Sequence, residues 1–338
     1  MRAITYDHNG PASVLRLVDR DPDRPGPGEV RVRVAVSAVN PTDWQARSGL
    51  LRPTVNTTVP HQDGAGVVDA VGPGVDGLRP GDRVWTDLAA FGRPLGGTAQ
   101  ELTVLPVDRV HRLPDGVSFD VGATLGVAGI TAHRALTVTE GWPARLSPGA
   151  LAGATVLVAG GAGAVGHAAV QLARWAGATV IATVSTPAKA RLATAAGAHH
   201  VVTYRESDAA ERIRELAPAG VDTVVEVAAA ANASLDTAVL AQGGAVVAYA
   251  NAPGEQLVLD MLPLMNLNAR VQLVRLFAIP PAAYRAAIED VTTASPVLQV
   301  GEDAGLPLHR FALERAADAH AAAEAGVVGK VLVDVAAL

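Results

Sequence analysis

The chain has 338 residues, more than a single domain of about 150 residues needs, so two domains are expected. Hydrophobic residues make up 49% of it and aromatics only 4%, so its core must be built from aliphatic and alanine side chains, which favours α/β layers. The charge of −6, from 27 basic and 33 acidic residues with no basic stripe, argues against nucleic acid or an anionic membrane as partner, and the lack of any cysteine excludes disulfides, thiolate zinc sites, iron–sulfur ligation and a cysteine nucleophile.

The opening MRAITYDHNG contains one arginine but no apolar run of the signal-peptide kind, so a cytoplasmic location is expected. Through residue 125 short runs such as 30–36 alternate apolar and polar with period two. Turns are marked by Pro25-Gly26-Pro27-Gly28, Gly72-Pro73-Gly74 and Pro80-Gly81-Asp82. A mainly antiparallel β region follows from that pattern. From about Phe119 the pattern becomes helical, through 122–124 and 130–136, and a loop rich in proline and glycine leads to Leu151.

The stretch 155–177, TVLVAGGAGAVGHAAVQLARWAG, reads as strand, glycine turn and helix. Its β-branched run at 156–159 suits a strand buried on both faces of a parallel sheet. Gly161, Gly163 and Gly166 then fall in the spacing G-x-G-x-x-G, with Ala164 and Val165 completing the turn and opening the helix. The first glycine permits the tight turn, the second lets the backbone approach a pyrophosphate, and the third packs helix on strand. A second strand at 179–183 completes a βαβ unit, so the motif predicts dinucleotide binding, with the phosphates facing the helix N-terminus. As a membrane span the stretch fails on its glycines, His167 and Gln171.

Where an NAD enzyme places a carboxylate for the ribose 2′-OH, this chain has Thr183-Val184-Ser185-Thr186. Hydroxyls there can donate to a 2′-phosphate, and Lys189 or Arg191 can supply charge, so NADPH is the expected cofactor. Ser185 and Thr186 also suit capping of a helix that starts near Pro187, and the two roles are compatible. Strands at 156–159, 180–183, 200–203, 223–227, 245–248 and 271–276 alternate with helices, as a doubly wound sheet requires. Beyond Pro280 and Pro281 come a helix at 282–294, an alternating section, a helix at 313–325 and a strand at 330–334. This tail is expected to rejoin the β region, giving one domain from 1–125 and 280–338 and a second, inserted, from 126–279.

In their order, PGPGEVRVRV (25–34), NPTDW (40–44), GAGVVDAVGPGV (64–75), PGDRVW (80–85), PDGVS (114–118), GATLGVAGITAHRAL (122–136), GGAGAVGHAAVQLA (160–173) and GKVLV (329–333) make nearly the whole chain resemble the medium-chain dehydrogenase/reductase superfamily. The likeness is to its zinc-free quinone oxidoreductase, or zeta-crystallin-like, branch. The resemblance implies a GroES-like, mainly antiparallel β catalytic domain, a Rossmann domain with a doubly wound parallel sheet, and a cleft between them. It also implies a homodimer paired through the last Rossmann strand, here 271–276. The 2′-phosphate site maps onto Ser185, Lys189 and Tyr204, where Tyr204 either meets adenine or phosphate or merely ends a strand.

Zinc-dependent relatives hold their metal with a cysteine, a His-Glu pair and a second cysteine; here those positions carry Asn40, His61 and Gln62, so no metal is expected and His61 is read as structural. Without zinc, the implied reaction is hydride transfer from NADPH to a small-molecule quinone or enone, with neither nucleic acid nor membrane as partner. Asn40 matches the position beside the nicotinamide and is assigned orientation of cofactor or acceptor, though an Asn before Pro also shapes turns. Thr131 resembles the residue that approaches the nicotinamide, unless it only caps a helix; Asn251 and Lys330 fall on cofactor positions, Lys330 reading equally as a solvated lysine. Trp44, Arg47 and Phe277 are expected to line the acceptor pocket. Many relatives carry a tyrosine in the loop after Asp43, whereas this chain has only Tyr6, Tyr204, Tyr249 and Tyr284. That absence favours quinone over enone reduction. An enoyl or enone reductase of a biosynthetic pathway, and a low-turnover NADPH-binding or non-redox cyclising protein, stay open as alternatives.

Overall fold

The computed structural model describes residues 1–51, 53–205, 208–251 and 254–337. In chain order it places β1 (Arg2–Thr5), β2 (Arg16–Asp19), β3 (Glu29–Val39), α1 (Pro41–Ser48), β4 (Asp63–Val71), β5 (Arg83–Thr86), β6 (Leu102–Pro106), β7 (Val110–Arg112) and α2 (Phe119–Thr124). The alternating core follows: α3 (Thr131–Thr137), β8 (Thr155–Ala159), α4 (Ala164–Trp175), β9 (Thr179–Val184), α5 (Pro187–Ala195), β10 (His200–Thr203), α6 (Ala209–Leu216), β11 (Val221–Glu226), α7 (Ala229–Val239) and β12 (Leu240–Ala248). It closes with α8 (Met261–Asn266), β13 (Arg270–Leu273), α9 (Pro281–Ala294), β14 (Leu308–Ala312), α10 (Ala316–Glu324) and β15 (Lys330–Asp334). Two compact units result, one of Met1–Val127 with Pro307–Leu338, the other of Ala128–Leu306.

The first unit is a seven-stranded sheet in the order β14-β15-β3-β4-β5-β7, with β6 also on β3 and a separate β1-β2 pair. Its pairings are antiparallel except β14 with β15. In the first half of β3, Val30, Val32 and Val34 turn inward while the residues between them are half-buried, as a one-sided strand requires. The register against β4 then shifts between Val34 and Val36, and from there the strand is buried on both faces. That bulge carries the chain inside the unit, so that Asn40, the next residue, emerges buried at the head of α1.

The second unit is one parallel six-stranded sheet, β10-β9-β8-β11-β12-β13, whose strand order reverses between β8 and β11. In β8, Val156, Leu157 and Val158 are fully buried, each worth about 1.5–3 kcal/mol of apolar burial. The chain therefore combines a GroES-like, mainly antiparallel domain with a Rossmann-type domain, as expected from the sequence.

The boundary expected at residue 280 is corrected, for 280–306 belongs to the parallel-sheet unit. Pro280 and Pro281 begin α9 instead of linking domains, proline being suited to the first helical turn. Asp290 on α9 then accepts from His133 Nε2 (2.8 Å), Arg145 Nε (2.8 Å) and the Leu146 N–H (2.7 Å), which ties α9 to α3 and the loop beyond it. The last strand is also shorter than expected: β13 stops at Leu273, and Leu276 opens a 3-10 turn. Among the described residues no helix is long and apolar enough to cross a membrane.

Candidate functional site

In the second unit the glycine turn lies between β8 and α4, beside the reversal of strand order where α/β sheets bind their ligands. Each glycine meets a different surrounding. A Cβ on Gly161 would fall 2.8 Å from the Ala182 Cβ, and one on Gly166 would fall 2.3 Å from the Gly160 carbonyl oxygen. Gly163 is the open one, its nearest neighbour in Cβ range being the Gly160 oxygen at 3.4 Å, so the space a side chain would fill there is free for a ligand. Gly163 also caps α4 without a side-chain bond, which leaves the first-turn N–H groups, those of Ala164 and Val165 among them, without intrahelical acceptors. Such a turn can receive an anionic group at its free N–H groups, and the residues fit a nicotinamide dinucleotide.

Ser185 directly follows β9 and Tyr204 directly follows β10, where the Tyr204 N–H donates to the Val184 carbonyl (3.0 Å). Thr186 caps α5, its hydroxyl accepting from the Lys189 N–H at 3.3 Å. The capping role is thus filled by Thr186, leaving Ser185 half-buried and Tyr204 exposed. Thr131 is buried at the start of α3, where Ile130 holds the N-cap position, so Thr131 is not the cap. Asn251 lies exposed beyond the end of β12, and Phe277 sits in the 3-10 turn after β13 with the Arg275 guanidinium 6.0 Å from its ring centroid.

In the first unit Asn40 is held from three sides. Its N–H donates to Asp43 Oδ2 (2.7 Å), its Nδ2 donates to Asp63 Oδ2 (2.9 Å), and its Oδ1 accepts from Lys330 Nζ (2.5 Å). The carboxamide orientation is fixed by that pair of opposite partners, since an ammonium can only donate and a carboxylate can only accept. One of the two Nδ2 hydrogens is thus committed to Asp63. Lys330 is therefore not a solvated lysine; it is buried behind Asn40. Burial lowers the Lys330 pKa, against the neighbouring Asp63 and Asp43, which raise it. Burial likewise pushes Asp43 up to about 7, with Asp63 adding to the rise, and pushes Asp63 up to about 6, against Lys330. Asp63 also accepts from the Val127 N–H (3.0 Å), and a Cβ on Gly126 would fall 2.2 Å from its Oδ1.

His61, with a φ of 80°, is fully buried, and the proton order around it can be worked out. Thr98 donates to the Asp63 carbonyl (2.6 Å), so Ser37 must donate to Thr98 (2.6 Å) and His61 Nδ1–H to Ser37 (2.7 Å). His61 Nε2 then accepts from His320 Nε2–H at 2.9 Å, and among the described residues the His320 Nδ1 lone pair has no partner. Burial holds His61 at about 3 and His320 well below the usual imidazole range, so both rings are neutral. Both His61 nitrogens are thereby engaged, and neither Asn40 nor Gln62 offers a thiolate or carboxylate. The zinc site of the dehydrogenases does not fit these residues.

A cavity of about 220 Å³ opens beside this network, with Asp43, His61 and Gln62 at one end and Tyr6 in its wall. One expectation changes here. Arg47 is fully buried, donating to the Gly10 carbonyl (2.6 Å) and to Glu324 (2.5 Å), so its side chain is engaged in packing. Trp44 is half-buried on α1. Sequence reasoning missed Asp63, Gln62 as a lining residue, and Tyr6, which reaches the wall because β1 runs on to bridge Thr58 (3.0 and 2.8 Å). Asp43 and Gln62 sit in motifs already singled out, whereas nothing in the spacing points to Tyr6.

Known proteins resemble this chain over nearly its whole length. Residues 26–115 match the alcohol dehydrogenase GroES-like domain and residues 164–293 the zinc-binding dehydrogenase domain. The quinone oxidoreductase of Lama guanicoe is 33% identical over 98% of this chain and 97% of its own. A 2-haloacrylate reductase of Burkholderia is 35% identical over 75% of this chain and 74% of its own. The crystal structure of Escherichia coli quinone oxidoreductase complexed with NADPH superimposes with a TM-score of 0.80 at 26% identity, covering 99% of this chain and 100% of that one.

Proposed function

The chain belongs to the medium-chain dehydrogenase/reductase superfamily as a quinone oxidoreductase-like oxidoreductase, and from that we propose that it transfers hydride from NADPH, without zinc, to a quinone or similarly electrophilic carbonyl acceptor. The observation that carries the reading is the fixed Asn40 carboxamide, which stands where zinc relatives need a thiolate and has one N–H not committed to Asp63. The dinucleotide, when bound, supplies the hydride. Gly163, Ala164 and Val165 hold its pyrophosphate by close backbone approach at a turn that Gly161 and Gly166 shape, and Ser185, Lys189 and Tyr204 receive the 2′-phosphate. Thr131 and Asn251 serve the nicotinamide half. Asn40 donates to the oxygen on which negative charge develops, a preorganised dipole that needs no metal. Lys330 acts through Asn40 as a positioning residue. A hydroquinone product takes its protons from solvent.

Reduction of an activated C=C bond is a second reading, favoured by one observation: Tyr6 brings a phenol-bearing side chain to the cavity wall although the loop after Asp43 has none. Product analysis separates the two. The deciding experiment follows oxidation of NADPH and of NADH with a polycyclic ortho-quinone, with and without a metal chelator. NADPH consumed well ahead of NADH, at a rate the chelator leaves unchanged, is the expected result. A chelator-sensitive rate, or tight NADPH binding without consumption by any quinone, overturns the proposal.

A further inference from the structure

Glu226 closes β11, the strand beside β8 where the order of the parallel sheet reverses, and it is fully buried. Its side chain folds back over the start of α7. Ala228 precedes that helix without a side-chain cap, and its N–H donates to Glu226 Oε1, while Asn232 Nδ2 donates to the carboxylate from 3.1 Å to each oxygen. The carboxylate therefore sits on the first turn of α7, where the helix dipole favours its charge. The segment it fastens touches the glycine turn, for a Cβ on Gly160 would fall 3.1 Å from Val227 Cγ1.

Asp236 lies one helical turn beyond Asn232 on the same face of α7, and its carboxyl is in hydrogen-bond contact with that of Glu226. The two carboxyls are served unequally. Glu226 receives N–H donors, whereas Asp236 Oδ2 is buried and no N–H or O–H among the described residues reaches it. Thr237 beside it gives its hydroxyl to the Ala233 carbonyl (2.7 Å), and the void on that side, walled by Val246, Leu264 and Val271, has a volume of about 10 Å³, the lower limit for one water. Charged groups on the elements packed around the pair are spent elsewhere. Arg214 of α6 donates to the Ala238 and Leu240 carbonyls, Arg270 of β13 to Glu140 and the Gly243 carbonyl, and His133 of α3 to Asp290, while β12 and α8 carry no charged residue. Asp222, at the other end of β11, accepts from the Thr155 N–H (2.8 Å). Tyr249 stays neutral, its phenol pushed up by burial and then by Glu226. Two buried carboxylates in contact without a cation cannot both be ionised. Glu226 is the one supplied with donors, so the hydrogen between them belongs to Asp236, which burial, with the Glu226 charge adding to it, pushes up to about 9.

We propose that Asp236 is a neutral acid that donates its O–H to Glu226 and so holds the β11–α7 turn against the glycine turn, which makes it a positioning residue for the dinucleotide. The pair itself stands without the reductase reading, and only its effect on the cofactor rests on that reading. Ionisation of Asp236 replaces the hydrogen bond by repulsion directly beneath the turn. The folded protein keeps this proton where the unfolded chain, with an ordinary aspartate, gives it up. The parent therefore loses stability, relative to a variant that cannot ionise there, as pH rises toward about 9, and loses no more beyond it.

Asp236→Asn keeps an N–H donor of the same reach and cannot ionise. In the full chain without cofactor, its melting temperature minus that of the parent is expected to rise from about pH 5 to about pH 9 and then to level off. The parent alone gives an independent reading: an infrared band of a protonated carboxyl is expected to persist at about pH 8 and to vanish above about pH 10. A melting difference that does not change with pH, or a parent without that band at about pH 8, overturns the proposal. In the cofactor arm, fluorescence titration is expected to show the Kd for NADPH rising about tenfold more in the parent than in Asp236→Asn between about pH 8 and about pH 10, with Lys189 and Tyr204 common to both proteins. Matching pH profiles of Kd overturn the positioning role. Failure of both proteins to bind NADPH or NADH, while the infrared band and the melting difference hold, defeats the cofactor reading alone.

Discussion

A single carboxamide illustrates how far a residue's chemistry depends on what surrounds it. Asn40 stands between a donor and an acceptor, Lys330 and Asp63, and those two bonds fix which way its amide faces. Replacing Lys330 with Met removes the donor to Oδ1 and leaves a buried oxygen unpaired, a loss of about 1–3 kcal/mol in fixing the amide. The expected outcome is a kcat lowered about tenfold or more with the Kd for NADPH unchanged, and partial recovery in Lys330→Gln, whose amide can still donate; both are read from steady-state kinetics beside cofactor titration. An equal loss in cofactor affinity and kcat instead assigns Lys330 to general packing. In the sequence, Asn40 is marked by the motif Asn40-Pro41-Thr42-Asp43, but its ammonium partner lies 290 positions away. Local pattern carries no information about that pairing, which arises only when β15 docks on β3. Arg47 was misread for the same reason: on α1 it looks like a free cation, and only the packing of α10 reveals Glu324 as its partner.

At the scale of one element, the turn between β8 and α4 separates folding from binding. A Cβ at Gly166 would meet the backbone oxygen of Gly160 at 2.3 Å, a contact that cannot relax by moving a side chain. Gly166→Ala is therefore expected to destabilise the protein by about 1–3 kcal/mol or more, despite alanine's better helix propensity, and thermal melting reads it. Gly163 has extended backbone, φ −87° and ψ 163°, and no close neighbour, so Gly163→Val is expected to melt near the parent while losing NADPH affinity by at least tenfold, read by fluorescence titration. Parallel losses in both variants would mean that the turn is structural only. This element was legible because its strand, turn and helix each follow from local periodicity and glycine spacing. The boundary near residue 280 was not, since two prolines suit a linker and a helix start equally well, and the choice is made by Asp290 meeting His133 and Arg145 far away in sequence.

At the scale of the whole molecule, β13 is one of the two edge strands of the parallel sheet, and among the described residues no further strand pairs with it. Parallel sheets are ordinarily buried on both faces and their edges covered, yet β13 ends the six-stranded sheet with Val271 37% and Leu273 69% exposed. Beside it in sequence α8 exposes Met261, Leu262 and Met265, each about two-thirds accessible, so apolar surface accompanies open backbone donors and acceptors. Charged residues usually blunt such an edge, and here Arg270 is spent on Glu140 (2.8 Å) and the Gly243 carbonyl (2.9 Å). A second copy would supply what the edge lacks, because two β13 strands related by a two-fold axis would run antiparallel and cover each other's apolar side chains. The protein is therefore expected to sediment as a dimer at micromolar concentration, and Leu273→Lys with Val271→Lys to shift it to monomer while NADPH binding persists. A parent protein that sediments as monomer across that range rules the pairing out. A dimer unaffected by the two lysines places the contact elsewhere, leaving the apolar edge of the parallel sheet without a covering element.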